Sequence, residues 1–418
     1  MAELHEVFGI SRGIPKYTYV DRSGLDTKFS YLMKTERHIV IHGASKQGKS
    51  CLRRKNLDEK NCVIVQCLPS MSNGDVWKAA LRHLGSTLPH VKTTELSSSA
   101  EVNAEIQAGA NFIFAKGGAS VDSTISSEKG DLKESEFVPG YDEDLQYLAK
   151  EIKKADKRLI LEDFHYLTED MRRKVAFDLK ALYELEVYVL IIGIWSEQNL
   201  LTYYNGDLTG RIEEININWN EAELNEVLLR GEKVLNVNFE ESLKKKIIDS
   251  SFQNVGLLQR LAEKLCFVSD VHKTEPFEKN IQITSFDAAT NNIIQDIGQR
   301  YTRICEVFVK GFRVDTKLRI YYKIFKVLTT ITEQKLIHGV PSDELLEEVQ
   351  AVSKDEIIRQ GDLTQCLDRI ERLQAARGIT PLLLSYNNSL KLVSLMDREF
   401  LFYRKFSRVN WDELVPTD

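Results

Sequence analysis

The sequence predicts an α/β protein with a parallel-sheet core, a helical lid and a C-terminal winged-helix domain. Three observations lead to this fold class. Short apolar runs alternate with helical stretches over the first half of the chain, a pattern typical of parallel sheets. A glycine-rich turn follows the first apolar run and precedes a helix. The C-terminal part then shows helices and a β-hairpin in the outline of a winged helix.

The predicted core domain covers residues 1–219 and contains the sheet. Four apolar runs are its candidate strands: His38–His42, Cys62–Cys67, Arg158–Leu161 and Val187–Ile194. Residues 72–88 place Val76, Trp77, Leu81 and Leu84 on one face and so predict a helix. Helical stretches precede the last two strands, which favours parallel pairing.

An insertion interrupts this pattern at residues 89–140. The stretch is rich in Ser, Gly, Ala and Glu, and it alternates apolar with polar residues from Val102 to Ala108. This pattern predicts a β-hairpin with mobile flanks. Two interpretations stay open: an arm that contacts a partner or nucleic acid, or a lineage-specific loop.

The remaining chain is predicted to be largely helical. Residues 220–283 form the helical lid, with helices at Asn220–Val234, Glu240–Ser250 and Gly256–Phe267. Residues 284–418 form a helical linker and the winged-helix domain, with helices at 317–329, 342–351 and 363–377. Ser342 and Asp362 are the expected N-caps of the last two helices. Two β runs within 382–393, joined by an Asn-Asn turn, predict the hairpin.

The glycine-rich turn is a complete G-x-x-x-x-G-K-S phosphate loop. Its residues are Gly43, Ala44, Ser45, Lys46, Gln47, Gly48, Lys49 and Ser50. The two glycines let backbone N–H groups curl around phosphate oxygens, and the helix that begins near Cys51 adds its positive end. Lys49 places a cation on the β- and γ-phosphates, while the Ser50 hydroxyl suits Mg²⁺. The motif therefore predicts a site for ATP and Mg²⁺.

A pair of carboxylates supplies the second half of the expected site. Glu162 and Asp163 directly follow the apolar run that begins at Leu159. Nucleotides bind at the carboxyl ends of parallel strands, so both carboxylates are expected near the nucleotide. Glu162 is expected to orient Mg²⁺, and Asp163 to polarise the attacking water. The order Glu-Asp reverses the usual Asp-Glu, which permits slow hydrolysis. His165 follows closely, either as a relay of the γ-phosphate state or as a packed or capping residue.

Together these residues resemble the AAA+ NTPases, in the branch that origin-recognition initiators, transposition-helper ATPases and STAND signalling ATPases share. The resemblance covers about residues 15–268 and the C-terminal winged-helix outline. It implies adenine contacts from Tyr19 and Val20 and a γ-phosphate contact from Ser196. It also implies that Arg211 reaches the γ-phosphate of a neighbouring subunit and that Arg260 touches nucleotide in its own subunit. An arginine supplied by a neighbour makes a homo-oligomer an expectation.

Charge limits the nucleic-acid alternatives. The chain carries 56 Lys and Arg against 62 Asp and Glu, a net charge of −6, which excludes a generally basic coat. Residues 300–326 nevertheless hold eight cations against two carboxylates, interleaved with six aromatic residues. One interpretation is a surface that tracks a DNA or RNA backbone. The other is a pair of amphipathic helices whose aromatic residues form the core and whose lysines are solvated.

Targeting features favour a cytoplasmic protein. The N-terminus is polar, no apolar run is long enough for a membrane helix, and the six cysteines are scattered rather than paired.

Three functions are consistent with these motifs. The first is an ATP-driven switch that oligomerises and signals to a partner effector protein. The second is an initiator- or transposition-helper-type ATPase that assembles on duplex DNA. The third is a nucleotide-binding scaffold that hydrolyses ATP poorly.

Overall fold

The structure is a computed structural model that describes residues 1–10, 13–85, 142–195, 198–312, 319–353 and 356–411. The predicted hairpin insertion at 89–140 and the predicted γ-phosphate contact Ser196 lie outside these residues.

Strands and helices are numbered here in chain order. The strands are β1 His38–His42, β2 Cys62–Gln66, β3 Arg158–Glu162, β4 Val189–Ile192, β5 Ile212–Asn216, β6 Val237–Phe239, β7 Lys279–Ile281, β8 Val340–Pro341, β9 Leu384–Asn387 and β10 Leu392–Leu395. The helices are α1 Leu4–Val7, α2 Leu25–Leu32, α3 Lys49–Asn56, α4 Asn73–His83, α5 Asp142–Ala155, α6 Glu169–Glu184, α7 Leu200–Tyr204, α8 Glu221–Leu235, α9 Glu241–Ser250, α10 Val255–Val268, α11 Phe286–Lys310, α12 Ile320–Thr330, α13 Glu333–His338, α14 Ser342–Ala351, α15 Gln360–Ala376 and α16 Glu399–Phe406.

The core is a five-stranded parallel sheet in the order β2-β3-β4-β1-β5. Every residue of β1 is buried, and the apolar side chains of the sheet feed one hydrophobic cluster on each face. This two-sided burial explains why the central strands read as continuous apolar runs. All five strands end at one edge, so that edge carries the phosphate loop after β1, Glu162 as the last residue of β3 and Asp163 directly after it. The α/β fold class with a parallel sheet is confirmed.

The lid packs around the N-terminus of the chain. Residues of α8, α9 and α10 share one apolar cluster with Leu4, Val7 and Phe8. The Phe8 ring lies over Gly231 of α8, where an added Cβ would come within 2.0 Å of the Phe8 Cζ. The first residues therefore share the apolar cluster of the lid, and the assignment of 1–219 to the core stays a prediction.

The C-terminal unit, defined as α12 to α16, contains the expected helices and hairpin. An antiparallel sheet of order β8-β10-β9 joins a short strand between α13 and α14 to the hairpin that follows α15. The same apolar cluster continues from the lid through α11 into this unit, across the predicted boundary at residue 283. The domain boundaries and the winged-helix assignment stay predictions.

Both predicted N-caps of this unit are wrong. Pro341 occupies the N-cap position of α14, and Ser342 is the first helical residue. The helix α15 begins at Gln360, so Asp362 lies inside its first turn, where the carboxylate accepts the Arg359 N–H. A carboxylate at the N-cap accepts an N–H of the first turn, whereas one inside the first turn accepts the N–H of the N-cap residue. Both arrangements place an acidic residue near the start of a helix, so sequence alone can misplace that start by a few residues.

None of the helices in the described part of the chain has the length and apolar character needed to cross a membrane.

Candidate functional site

The phosphate loop, residues 43–50, joins β1 to α3 with a backbone that needs glycine at two positions. Gly43 has φ of 139°, and an added Cβ would lie 2.7 Å from the Ile217 carbonyl oxygen. Gly48 has φ of 82° and directly precedes α3. Both conformations are costly for residues with a side chain. The loop therefore curls tightly and presents its N–H groups with the N-terminus of α3.

Lys49 lies inside this loop. Its ammonium donates to the carbonyl oxygens of Gly43 at 3.1 Å and Ala44 at 2.6 Å. Burial lowers the pKa of Lys49 to about 7, and the Asp163 carboxylate opposes this shift. The charged form of Lys49 is thus destabilised by burial and stabilised mainly by one carboxylate. A phosphate bound beside it would stabilise that charged form further. Ser50, the next residue of α3, is exposed and free to present its hydroxyl.

Asp163 directly follows β3 and interacts electrostatically with Lys49. The residue adopts φ of 54° and so leaves the strand conformation immediately after Glu162. Burial and the neighbouring Glu162 charge raise the pKa of Asp163, while Lys49 and a hydrogen bond from the Gln66 amide oppose the rise. This carboxylate is half-buried and interacts electrostatically with the phosphate-loop lysine. It is positioned to act on a ligand at that loop.

Glu162 has different surroundings. Its Oε1 accepts the Arg53 Nε at 2.8 Å, and Arg53 is a fully buried residue of α3. This ion pair joins the end of β3 to the helix that follows the phosphate loop. Glu162 therefore has a clear structural role, and its predicted role in orienting Mg²⁺ stays a prediction.

The lead-in and the lid contact the loop through the backbone and side chain of Gln47. The Gln47 carbonyl accepts the Arg22 guanidinium at 3.2 Å and the Trp219 indole N–H at 3.1 Å. Arg22 also stacks over the Trp219 ring at 4.4 Å. The Gln47 side chain donates to the Gln253 carbonyl at 2.9 Å. These contacts hold the loop from two sides.

The helix α10 of the lid contacts the loop at its N-terminus. Asn254 caps α10 and donates its amide to the Ser45 carbonyl at 3.1 Å. The Gly256 N–H donates to the Lys46 carbonyl at 3.3 Å. The loop carbonyls are thus held by the lid, which leaves loop N–H groups for other partners.

A segment of the C-terminal unit supplies one such partner. This docking segment, residues 396–399, follows β10. The Ser45 N–H donates to the Met396 carbonyl at 3.1 Å, and the Lys46 ammonium pairs with Glu399 at 2.6 Å. Arg398 donates to the Gln253 carbonyl at 3.1 Å. Sequence analysis missed these contacts, although two acids and an arginine directly after an apolar strand are a weak signal.

Glu399 joins three parts of the molecule. Besides Lys46, it lies 3.5 Å from Arg260 of α10 and 3.9 Å from Arg300 of α11. Arg260 also pairs with Asp296 at 2.9 Å. The Arg260 guanidinium therefore bonds two carboxylates, those of Glu399 and Asp296. Its predicted contact with nucleotide stays a prediction.

The predicted adenine contacts lie at the junction of core and lid. The Tyr19 hydroxyl donates to Asp26 at 2.5 Å, and burial raises its pKa. The Tyr19 carbonyl accepts the Arg230 guanidinium of α8 at 2.5 Å. Val20 is buried in the lid cluster. Cys51 is half-buried in the first turn of α3.

Arg211 lies far from the phosphate loop of its own chain. It directly precedes β5, at the edge of the sheet where the strands begin, and its carbonyl accepts the His38 N–H. Its guanidinium pairs with Glu184 at 2.9 Å and stacks over Tyr183 at 4.9 Å. Its predicted contact with the γ-phosphate of a neighbouring subunit stays a prediction.

The described part of the basic segment 300–326 does not present its aromatic residues. Tyr301, Phe308, Phe312, Tyr321, Tyr322 and Phe325 are each at most 5% exposed. They belong to the apolar cluster and are not available to stack on bases. The second interpretation placed the aromatic residues in the core and the lysines in solvent. It is confirmed for the aromatic residues and wrong for Lys323 and Lys326, which are buried.

The residues at the sheet edge fit ATP and Mg²⁺. The curled loop and the start of α3 offer N–H donors, Lys49 offers a cation, and Ser50 and Asp163 offer oxygens of the kind that Mg²⁺ prefers. Both ring nitrogens of buried His165 have no hydrogen-bond partner in the described structure.

Comparison with known proteins supports the fold. No protein-family model and no curated protein sequence matches the chain. A Walker-type ATPase of Pyrococcus abyssi is similar in structure, with a TM-score of 0.52 and 13% identity over 96% of this chain and 100% of that chain. Cdc6p of Pyrobaculum aerophilum gives a TM-score of 0.42 with 12% identity over 98% and 97%. The first similarity shows that this chain has the fold of a Walker-type ATPase; the second is too distant for inference.

Proposed function

We propose that this protein is an ATP-binding and ATP-hydrolysing switch in which nucleotide controls the docking of the C-terminal unit. One observation carries the proposal. The loop that suits a triphosphate is the same loop whose Ser45 N–H and Lys46 ammonium hold the docking segment. A ligand that attracts these loop groups changes the free energy of docking, because binding and docking are then thermodynamically linked.

The chemistry is assigned to four residues. Lys49 binds the β- and γ-phosphates, and Ser50 ligates Mg²⁺, which neutralises phosphate charge when bound. Asp163 orients the attacking water, since it is the carboxylate that interacts with Lys49. Glu162 keeps β3 and α3 together through Arg53 and contributes to the metal through water.

Assembly completes the site in this proposal. Arg211 lies at the opposite sheet edge from its own loop, so it serves a neighbouring subunit in a homo-oligomer. Its pairs with Glu184 and Tyr183 hold it until a neighbour arrives. Release of the C-terminal unit, which we assign as a winged helix, exposes the surface that recruits a partner protein. A DNA-loading role has less support because the aromatic residues of the basic segment are buried.

The test compares three variants with the wild type. Lys49→Ala should weaken ATP binding by at least tenfold, because a charge-assisted hydrogen bond is lost. Asp163→Asn should bind ATP normally but turn over about a hundredfold more slowly. Arg211→Ala should bind ATP normally, and both its turnover and its ATP-dependent increase in molecular mass should fall.

Light scattering with and without ATP, and ATPase assays with and without duplex DNA, decide among the functions. A salt-sensitive stimulation of turnover by DNA would favour the DNA-loading alternative instead. Unchanged ATP binding in Lys49→Ala would contradict the nucleotide site itself.

A further inference from the structure

The turn that joins α9 to α10 contains two adjacent residues in the left-handed region of the backbone. Phe252 has φ of 50° and Gln253 has φ of 57°. The Asn254 N–H donates to the Ser251 carbonyl at 2.9 Å, which closes the turn. Turns with positive φ at both central positions favour Asn and Gly there. Phe and Gln adopt this conformation at a cost, so this left-handed turn, residues 251–254, is strained.

Strain of this kind persists only where surrounding contacts fix the conformation. The contacts come from two parts of the molecule outside the lid. Arg398 of the docking segment donates its Nη1 to the Phe252 carbonyl at 3.3 Å and to the Gln253 carbonyl at 3.1 Å. Gln47 of the phosphate loop donates its side-chain amide to the same Gln253 carbonyl at 2.9 Å. Arg398 is 5% exposed, so its guanidinium is held against the turn rather than solvated.

The left-handed turn leads directly into the contact between the lid and the phosphate loop. Asn254 ends the turn and is the N-cap of α10, and its side-chain amide donates to the Ser45 carbonyl at 3.1 Å. Two residues later, the Gly256 N–H donates to the Lys46 carbonyl at 3.3 Å. The first N–H groups of a helix have no partner within the helix. The position of the α10 N-terminus, and with it these two hydrogen bonds, therefore depends on the conformation of the turn.

We propose that the left-handed turn is a strained hinge that couples docking of the C-terminal unit to the contact between the lid and the phosphate loop. When the docking segment leaves, the turn loses both Arg398 hydrogen bonds and relaxes towards negative φ. The N-terminus of α10 then moves away from the loop, and the Gly256 hydrogen bond breaks. This inference rests on the proposed function and deepens it, because it names the part of the lid through which docking acts on the nucleotide site. The coupling is reciprocal, so a lid that leaves the loop also weakens docking.

Two substitutions to glycine separate strain from ordinary packing. Gln253→Gly relieves strain, because glycine adopts positive φ readily and the Gln253 side chain forms no hydrogen bond within the described part of the chain. The docked arrangement should become more favourable, so the amides of residues 396–399 should exchange about fivefold more slowly without nucleotide. Glu186→Gly is the control, because Glu186 also has φ of 57° but lies between α6 and β4, where its side chain pairs with exposed Lys153. It should leave exchange at 396–399 unchanged.

A double-mutant cycle tests the coupling itself. Arg398→Met removes the guanidinium and keeps an apolar side chain of similar length, so the Gly256 amide should exchange about tenfold faster. In the Gln253→Gly background, the same substitution should accelerate this amide less than about threefold, since a glycine holds the turn without the Arg398 hydrogen bonds. In the Glu186→Gly background, the full acceleration should remain.

Equal acceleration of the Gly256 amide in all three backgrounds would overturn the hinge, because docking would then act on the lid without the turn. Unchanged exchange at 396–399 in Gln253→Gly would also overturn it, and this measurement decides the question if Arg398→Met does not fold. These experiments use no nucleotide, whereas ATP titration of the wild type and Lys49→Ala tests the nucleotide site. The hinge can therefore fail while the nucleotide site stands, and a failure of the nucleotide site is seen separately.

Discussion

Glu162 and Asp163 are adjacent carboxylates with different partners. Glu162 keeps the strand conformation and pairs with buried Arg53, whereas Asp163 turns out of the strand with φ of 54° and interacts with Lys49. Sequence could predict that both carboxylates reach the sheet edge. It could not predict that Glu162 pairs with Arg53, because the two residues lie over a hundred positions apart in the chain.

A matched pair of substitutions separates the two roles. Glu162→Gln removes the buried carboxylate that pairs with Arg53 and leaves it only the exposed Glu59 at 3.4 Å, so we expect it to lower the free energy of unfolding by about 1–3 kcal/mol. Asp163→Asn, a half-buried position, should change stability little and should mainly slow hydrolysis. Urea unfolding and ATPase assays on the same samples provide the measurement. A large stability loss in Asp163→Asn with normal turnover would reverse the assignment.

Buried His38 predicts a pH-dependent stability. Burial, with the charges of Arg158 and Arg211, lowers its pKa to about 4, while a hydrogen bond to the Leu179 carbonyl acts in the opposite direction. The folded pKa is below the unfolded value near 6.5, so the unfolded state binds more protons in this window. Stability is therefore full above about pH 6.5 and falls as the pH decreases towards 4.

His38→Gln retains hydrogen-bonding groups but does not titrate. Between about pH 7.5 and pH 5.5, we expect the wild type to lose roughly 1 kcal/mol more unfolding free energy than this variant. Urea unfolding at the two pH values measures the difference. Parallel losses in the two proteins would show that His38 is not the titrating group.

At the level of elements, local pattern was a good guide to strands and a poor one to packing partners. The predicted strand His38–His42 is observed with the same bounds, since an apolar run that ends in a glycine turn has few alternatives. The packing of Phe8 against Gly231 was not predictable, because it joins the N-terminus to a lid helix. Such contacts depend on tertiary structure, which leaves no periodic signal.

The Phe8 contact gives a test that uses two helical glycines. Gly231→Ala places a Cβ within 2.0 Å of the Phe8 ring and should displace α1, at a cost of about 1–3 kcal/mol in unfolding free energy. Gly298→Ala in α11 is the control, because an added Cβ there would lie 4.0 Å from the Tyr403 Cε2, an ordinary contact distance. Alanine is the better helix former, so the control should be neutral or more stable. Thermal unfolding compares the two, and equal effects would contradict the close packing of Phe8.

For the whole molecule, the main unpredicted feature is that the C-terminal unit touches the phosphate loop. The sequence predicted the phosphate loop and the terminal hairpin separately, but hydrophobic pattern does not say which surfaces meet. The buried Glu399 carboxylate shows how they are held, since it lies among cations from the loop, the lid and α11. A charge shared by three elements makes docking cooperative, so that loss of one contact weakens the others.

Glu399→Gln tests whether this carboxylate holds the closed arrangement. The amide is similar in shape but cannot pair with Lys46, Arg260 and Arg300, so we expect the docking segment to open more often and its backbone amides to exchange about tenfold faster. Glu333→Gln is the control, because Glu333 pairs with Arg404 at 3.4 Å inside the C-terminal unit. Glu399→Gln removes a negative charge beside the phosphate loop and so also changes ATP affinity. Hydrogen exchange is therefore measured without nucleotide, so that it reports only on docking. Faster exchange at residues 396–399 in Glu399→Gln alone would place the control of docking at this carboxylate, whereas equal exchange in both variants would mean that apolar packing holds the unit.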